Sequence, residues 1–272
     1  MYTDTIADKA KAAAVWGEYA LKVGQAGCWK IGELRVWARR GEREWQVAHL
    51  PGGRLGGDSV HAEVPSSDFA PPDDAERLRL VFRQSSPVIR FSPALADRPI
   101  VVRSQTPLRL MPKESAQLFV TTPLWVRIDF AGSSGSVLDV PSVRLSDTWF
   151  GASTREGQLC YAGRVDARLR LEELVRVPYR VLTVFVVENR DAESLALDKI
   201  ALPLPHLSLH REPGGAFWTQ SVQVQRAKNG GEIEVRLNAR LPVVTEHLEL
   251  VAPPRKRIER NSALKALQVL MG

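Results

Sequence analysis

Only two cysteines, Cys28 and Cys160, occur in 272 residues, and neither stands in CxxC spacing. A disulfide framework and a thiolate zinc site are therefore both excluded, and free, buried thiols are expected. No run approaches the roughly 18 uncharged apolar residues that a spanning helix needs. The most apolar stretch, Val181-Leu-Thr-Val-Phe-Val-Val187, is too short and reads as a buried strand. At the start of the chain Asp4, Asp8, Lys9 and Lys11 interrupt any apolar leader, so no signal peptide is expected and the compartment expected is cytoplasmic. Glycine (19) and proline (18) follow no period, which excludes collagen-like and low-complexity chains.

Reactive groups are equally sparse. Of the five histidines (49, 61, 206, 210, 247), only His206 and His210 are close in sequence. Four residues along a strand separate them by roughly 13 Å, too far for one ion. No GxSxG elbow is present, and Gly52-Gly-Arg-Leu-Gly-Gly57 lacks the Gly-Lys-Ser/Thr of a phosphate-binding loop. Glu172 and Glu173 are adjacent and point apart on a strand or sit in a solvated turn. The residues thus point away from an enzyme: no catalytic residue, no metal ligand and no cofactor is expected.

What is present belongs to a folded protein: 44% hydrophobic residues, 25% charged, and 37 − 31 = +6 net charge. The excess is mainly arginine. Arg35, Arg39, Arg77, Arg79, Arg127, Arg164, Arg168 and Arg170 alternate with apolar neighbours, as on the solvent face of sheets. Arg255-Lys256-Arg257 with Arg260 forms one local cluster.

After an Ala/Lys-rich helical segment at 5–15, the apolar period changes from 3.6 to 2. Trp29–Trp37 alternates but slips phase at Gly32, which predicts a bulge, and Glu44–Ala48 follows the polar Arg40–Arg43 as the second arm of a hairpin. Residues 50–75, rich in Gly, Pro and Asp, read as a long loop. Short strand-like runs then recur, including Arg77–Phe82, Val88–Phe91, Ile100–Arg103, Leu108–Leu110, Trp125–Phe130, Val143–Leu145, Gln158–Arg168, Tyr179–Val187 and Phe217–Gln225, broken by Pro, Gly, Asn or Asp. Leu171–Leu174 is at most one helical turn. Parallel α/β folds need long crossovers between strands and are excluded. The expected fold is an all-β antiparallel sandwich of two units with short terminal helices. The expected division is 1–98, 99–252 and a C-terminal helix in 253–272.

That last segment places Ile258, Leu264, Leu267, Leu270 and Met271 on one broad stripe of a helix, with Arg257, Arg260 and Lys265 beside or opposite it. It reads either as docking on its own sheet or, because Pro253-Pro254 detaches it from the last strand, as serving a partner or a membrane surface. The seven tryptophans (16, 29, 37, 45, 125, 149, 218) are scattered among apolar neighbours, which favours core packing over a stacking platform. In Arg144-Leu-Ser-Asp-Thr-Trp-Phe-Gly151, Arg144 and Ser146 should share a strand face. Asp147 should bond local backbone or Arg144, and Gly151 should supply positive φ.

That octapeptide, with Pro123-Leu-Trp-Val-Arg127, Gly157-Gln-Leu-Cys-Tyr-Ala162, Val186-Val-Glu-Asn189, Leu195-Ala-Leu-Asp-Lys-Ile200, Trp16-Gly-Glu-Tyr19 and Phe217-Trp-Thr219, resembles a prokaryotic family, domain of unknown function 432. The family has no established activity to carry over. The resemblance implies an association with genes of small-conductance mechanosensitive channels, which is a matter of gene neighbourhood and not of mechanism. The expected function is a non-catalytic interaction protein, an accessory subunit that binds such an integral membrane channel. It would sit at the inner membrane through its protein partner, without inserting and without nucleic acid. The expected partner-binding residues are Arg144, Asp147, Trp149, Arg257, Arg260, Leu264, Leu267 and Leu270. The alternative is a glycan- or polyanion-binding sandwich.

Overall fold

Alternating apolar residues build sheets because successive side chains point to opposite faces, and one face of each strand must find a core. The structure, a computed structural model, describes residues 15–52, 60–66, 69–131, 138–151, 153, 155–163, 167–174, 176–226, 233–237 and 247–257. Twenty strands are described among them, β1 to β20 in chain order, with two single-turn 3-10 helices at Leu171–Glu173 and Leu204–His206. The fold is all-β, mainly antiparallel and sandwich-like. Both expected terminal helices fall almost wholly outside the described residues.

The chain divides into two compact units. Unit 1 takes residues 15–94, Pro123–Arg144 and Val177–Tyr179; unit 2 takes Leu95–Thr122, Leu145–Arg176 and 180–257. The strands of 123–144 thus sit with the N-terminal ones, where the sequence division had placed them beyond residue 99.

Unit 1 contains two antiparallel sheets. One is ordered β1 (Gly17–Ala20), β7 (Val88–Ala94), β10 (Trp125–Phe130), β11 (Leu138–Pro141). The other is ordered β5 (Val60–Ser66), β2 (Ala26–Ile31), β3 (Leu34–Arg40), β4 (Glu44–Leu50), β6 (Glu76–Val81). Their inner faces meet in one core: Trp29, Ile31, Leu34, Val36, Trp45 and Val47 from the second sheet, Ile89, Phe91, Val126, Ile128, Phe130 and Val140 from the first. Aromatic rings carry much of it. Trp29 lies 4.6 Å from Phe91, Tyr19 stands edge-on to both, and Trp45 lies 4.9 Å from Phe130, centroid to centroid.

The phase slip at Gly32 is a turn and not a bulge. Ile31 pairs with Leu34, so Gly32-Glu33 is a two-residue hairpin loop, and Gly32 adopts φ +63° with the Tyr179 ring where a Cβ would stand. The expected 50–75 loop also contains a strand, β5, paired to β2.

Unit 2 again has two sheets. The smaller is ordered β12 (Ser146–Phe150), β13 (Gln158–Ala162), β8 (Ile100–Leu110), β15 (Leu195–Leu202). Ile100–Arg103 and Leu108–Leu110 are therefore one strand, and the strand expected at Val143–Leu145 begins at Ser146. The larger is ordered β19 (Ile233–Leu237), β18 (Val222–Arg226), β14 (Arg180–Asn189), β17 (Phe217–Thr219), β16 (Leu209–Arg211), β20 (Glu249–Ala252), with β9 (Ser115–Pro123) also on β14. The apolar run 181–187 is the centre of that sheet. β17 and β18 pair with it in parallel, and both of its faces are buried, as a continuous apolar strand requires. Leu182 and Val184 pack with Trp218 beneath Leu171 and Leu174, while Val181, Phe185 and Val187 point to the opposite face.

Beyond β20 the chain is held and not released. Arg255 Nε donates to the Leu95 carbonyl at 2.6 Å, and Lys256 N–H donates to the Pro205 carbonyl at 2.9 Å. Pro253-Pro254 therefore does not free the chain, which stays tethered as far as Lys256.

Candidate interaction surface

Ser146–Phe150 of the octapeptide that stood out in the sequence form β12, one arm of the β12–β13 hairpin. Register places Asp147 opposite Tyr161 and Trp149 opposite Leu159, all on one face; Phe150 and Cys160 turn to the other face and are buried. Trp149 is 49% exposed and Leu159 45%, so two large apolar groups stand together in solvent.

Trp149 is exposed but not loose. Its Nε1 donates to the Ser153 carbonyl at 2.9 Å. The Ser153 hydroxyl in turn accepts from the N–H groups of Arg155 (3.3 Å) and Glu156 (3.1 Å), which closes the hairpin end. Two glycines make room. A Cβ on Gly157 would lie 2.7 Å from Trp149 Nε1, and one on Gly151 would lie 2.1 Å from the Glu156 carbonyl oxygen. Gly151 is thus required for close backbone approach and not for the positive φ expected of it.

The flank of the pair is charged. β13 runs parallel to β8, with Tyr161 beside Ile100, and this brings the residues just before β8 to the hairpin. Arg98 Nη1 donates to Asp147 Oδ1 at 3.1 Å, and its guanidinium sits 5.0 Å above the Tyr161 ring, a cation–π contact. Tyr161 OH donates to Asp97 Oδ1 at 2.9 Å. Burial, then that bond and the neighbouring carboxylates, push the phenol up to about 12, so it stays protonated and acts as a donor. Burial alone pushes the Cys160 thiol up to about 11, which removes it as a nucleophile near neutral pH.

Asp147 is therefore held by Arg98, and neither by its own backbone nor by Arg144. Arg144 belongs to unit 1, where its N–H donates to the Gly52 carbonyl at 3.3 Å. Arg257 is exposed, past the tethers at Arg255 and Lys256. Arg260, Leu264, Leu267 and Leu270 lie outside the described residues. Of the eight expected residues, the structure brings together Asp147 and Trp149. Sequence reasoning missed Asp97 and Arg98, which are some 49 residues from Asp147 and carry no local signal. Leu159 and Tyr161 could have been found from the alternation of Gln158-Leu-Cys-Tyr161 once β12 and β13 were paired.

Other chemistry is thin among the described residues. No three His, Cys, Asp or Glu converge as a metal site would require. His206 sits in a 3-10 turn with Nδ1 3.2 Å from the Lys256 carbonyl, and His210 is buried on β16. Five of the seven tryptophans are buried, Trp16 is half-buried, and Trp149 alone is widely exposed. No described helix is long and apolar enough to cross a membrane.

A family model described as a protein of unknown function, DUF432, matches residues 15–272. The chain belongs to the DUF432 family. Every described strand of both units, the hairpin face included, falls within the matched span of this DUF432 protein. No curated protein and no solved structure matches the chain.

Proposed function

We propose that this DUF432 chain is a non-catalytic interaction protein that docks a protein partner on the Trp149–Leu159 face. The observation that carries the reading is an indole 49% exposed yet fixed by Ser153 and Gly157, beside an exposed leucine and an Arg98 already paired. Tryptophan and arginine are the residue types that dominate binding hot spots, and a side chain already ordered loses little entropy on docking. The inert thiol and the bound phenol of the same hairpin support contact over turnover.

The gene neighbourhood associated with the family makes a small-conductance mechanosensitive-type channel the partner to test, with this chain as an accessory subunit at the cytoplasmic side of the inner membrane. The segment from Arg257 onward, with Arg260, Leu264, Leu267 and Leu270, would complete the contact.

The test is co-purification of the tagged chain with the channel from detergent-solubilised membranes. Trp149→Ala combined with Leu159→Ser should lower capture by more than about tenfold, the loss of a hot-spot pair, with the melting transition unchanged. Deleting 258–272 should lower it as well, by removing Arg260, Leu264, Leu267 and Leu270, while the Arg255 and Lys256 tethers stay in place. Capture that survives both changes removes the reading. Quenching of Trp149 by oligosaccharide without protein capture would replace it by the glycan alternative.

A further inference from the structure

The outward face of the five-stranded sheet of unit 1 gathers cations that the sequence scatters over 50 residues. Trp29, Ile31, Leu34, Val36, Trp45 and Val47 point inward, so alternation turns Lys30, Arg35, Arg39, Arg77 and Arg79 to the other side. Register sets them in rows. Lys30 stands directly opposite Arg35; Arg39, Gln46 and Arg79 follow one another across β3, β4 and β6; between these rows, Cys28, Trp37 and Ala48 lead to Arg77. The four arginines are exposed and Lys30 is half-buried.

Two of the five have anionic partners: Arg79 pairs with Glu44 at 2.6 Å and Arg77 with Asp73 at 3.8 Å. Lys30, Arg35 and Arg39 have no carboxylate within salt-bridge distance among the described residues. Glu44 and, opposite Cys28, Glu63 are the acidic residues at register positions on this face. Like charges placed directly opposite on adjacent strands, roughly 4.5–5.5 Å apart, repel and destabilise a sheet. The Lys30–Arg35 pair therefore holds an unfavourable energy that a bound anion would relieve.

We infer that this face is a contact for the phosphate headgroups of an anionic bilayer. The cations spread roughly 13 Å along β3 and roughly 14 Å across three strand spacings, which suits an extended array of anions better than one small ligand. Guanidinium groups bind phosphate bidentately and predominate here. Nucleic acid fits less well. A five-stranded face, roughly 19 Å wide, does not enter a groove about 12 Å wide. Nor does it present a ring for base stacking: Trp37 is buried with Phe69 against it. The exposed Val81, at the edge of the same face, is tolerated at headgroup level.

The experiment is vesicle co-flotation of the full chain. Vesicles of phosphatidylglycerol in phosphatidylcholine should bind it, vesicles of phosphatidylcholine alone should not, and added salt should release it. The variant Lys30→Glu, Arg35→Glu, Arg39→Glu should bind more weakly by at least roughly fivefold for each cation, on the order of 100-fold in all. Arg103→Glu with Arg109→Glu, which are exposed on β8 in unit 2, should lose far less. A circular dichroism melt confirms that each variant is folded. Equal loss in both variants, binding to neutral vesicles, or no binding by the parent chain would overturn the inference. So would tighter binding to a DNA oligomer that the triple variant abolishes, which would assign the face to nucleic acid. Channel capture through Trp149 is untouched by any of these results.

Discussion

The two units reach stability by different means. Unit 1 is held by rings and aliphatic groups between its sheets, with Trp29, Phe91, Trp45 and Phe130 fully buried and almost no buried charge. Unit 2 adds a polar knot. Arg226 and Asp191, 5% and 4% exposed, pair at 2.9 Å. Asn189, at the end of β14, donates through Nδ2 to the carbonyls of Leu110, Met111 and Glu193, while Arg226 Nη1 donates to that of Ser194. A core of apolar area tolerates imprecision and is built by pattern. A buried ion pair needs every partner in place, because an uncompensated charge in the interior is costly. Unit 1 is thus secured by composition, and the β8–β9 and β14–β15 turns of unit 2 by particular side chains.

The largest effects should separate these two modes. Trp29→Ala should cost about 3–5 kcal/mol in equilibrium denaturation, through lost burial and the cavity left in unit 1. Asp191→Ala should cost up to about 3–5 kcal/mol in unit 2. Arg226 then loses its one buried carboxylate and keeps only the exposed Glu193 at 3.6 Å and the Ser194 carbonyl; Asp191→Leu with Arg226→Met should recover most of the loss. If the single change cost no more than the double, the knot would be packing and the contrast between the units would fail.

A middle-sized effect belongs to the hairpin. Gly151→Ala forces a Cβ to 2.1 Å from a backbone oxygen and should cost about 1–3 kcal/mol, with a red-shifted Trp149 emission as the hairpin end opens. An unchanged spectrum would mean that the indole is not held by the hairpin.

The smallest effect is spread over both units. Burial holds His49 of unit 1 and His206 and His210 of unit 2 below the usual imidazole value, against the opposing pull of Glu76 on His49. The unfolded chain then binds more protons than the folded one as pH falls below about 6.5, so stability declines with acid and is fully present above that pH. Denaturation midpoints measured from pH 7.5 to 5 should fall, and His49→Gln should flatten the slope. A midpoint that rises toward pH 5 would reverse the sign of the argument.

Reading the chain alone reached the all-β class through the alternation in Trp29–Trp37 and Trp125–Phe130, and it identified the buried centre of unit 2 through Val181–Val187. It also singled out Asp147 and Trp149. It misread Gly32 as a bulge because a two-residue turn and a phase slip leave the same pattern of apolar residues. It missed Arg98 and Asp97 because parallel pairing of β13 with β8 joins segments with no shared local pattern.

Local chemistry by itself determined strand formation, the inward and outward sets of side chains, and the scarcity of reactive groups, since these follow from a period of two and from composition. Tertiary structure alone decided which outward residues meet: Arg98 with Asp147, Trp149 with Leu159, Lys30 with Arg35. Neighbours across strands are set by register and sheet order, and those depend on how distant segments bury their apolar faces together.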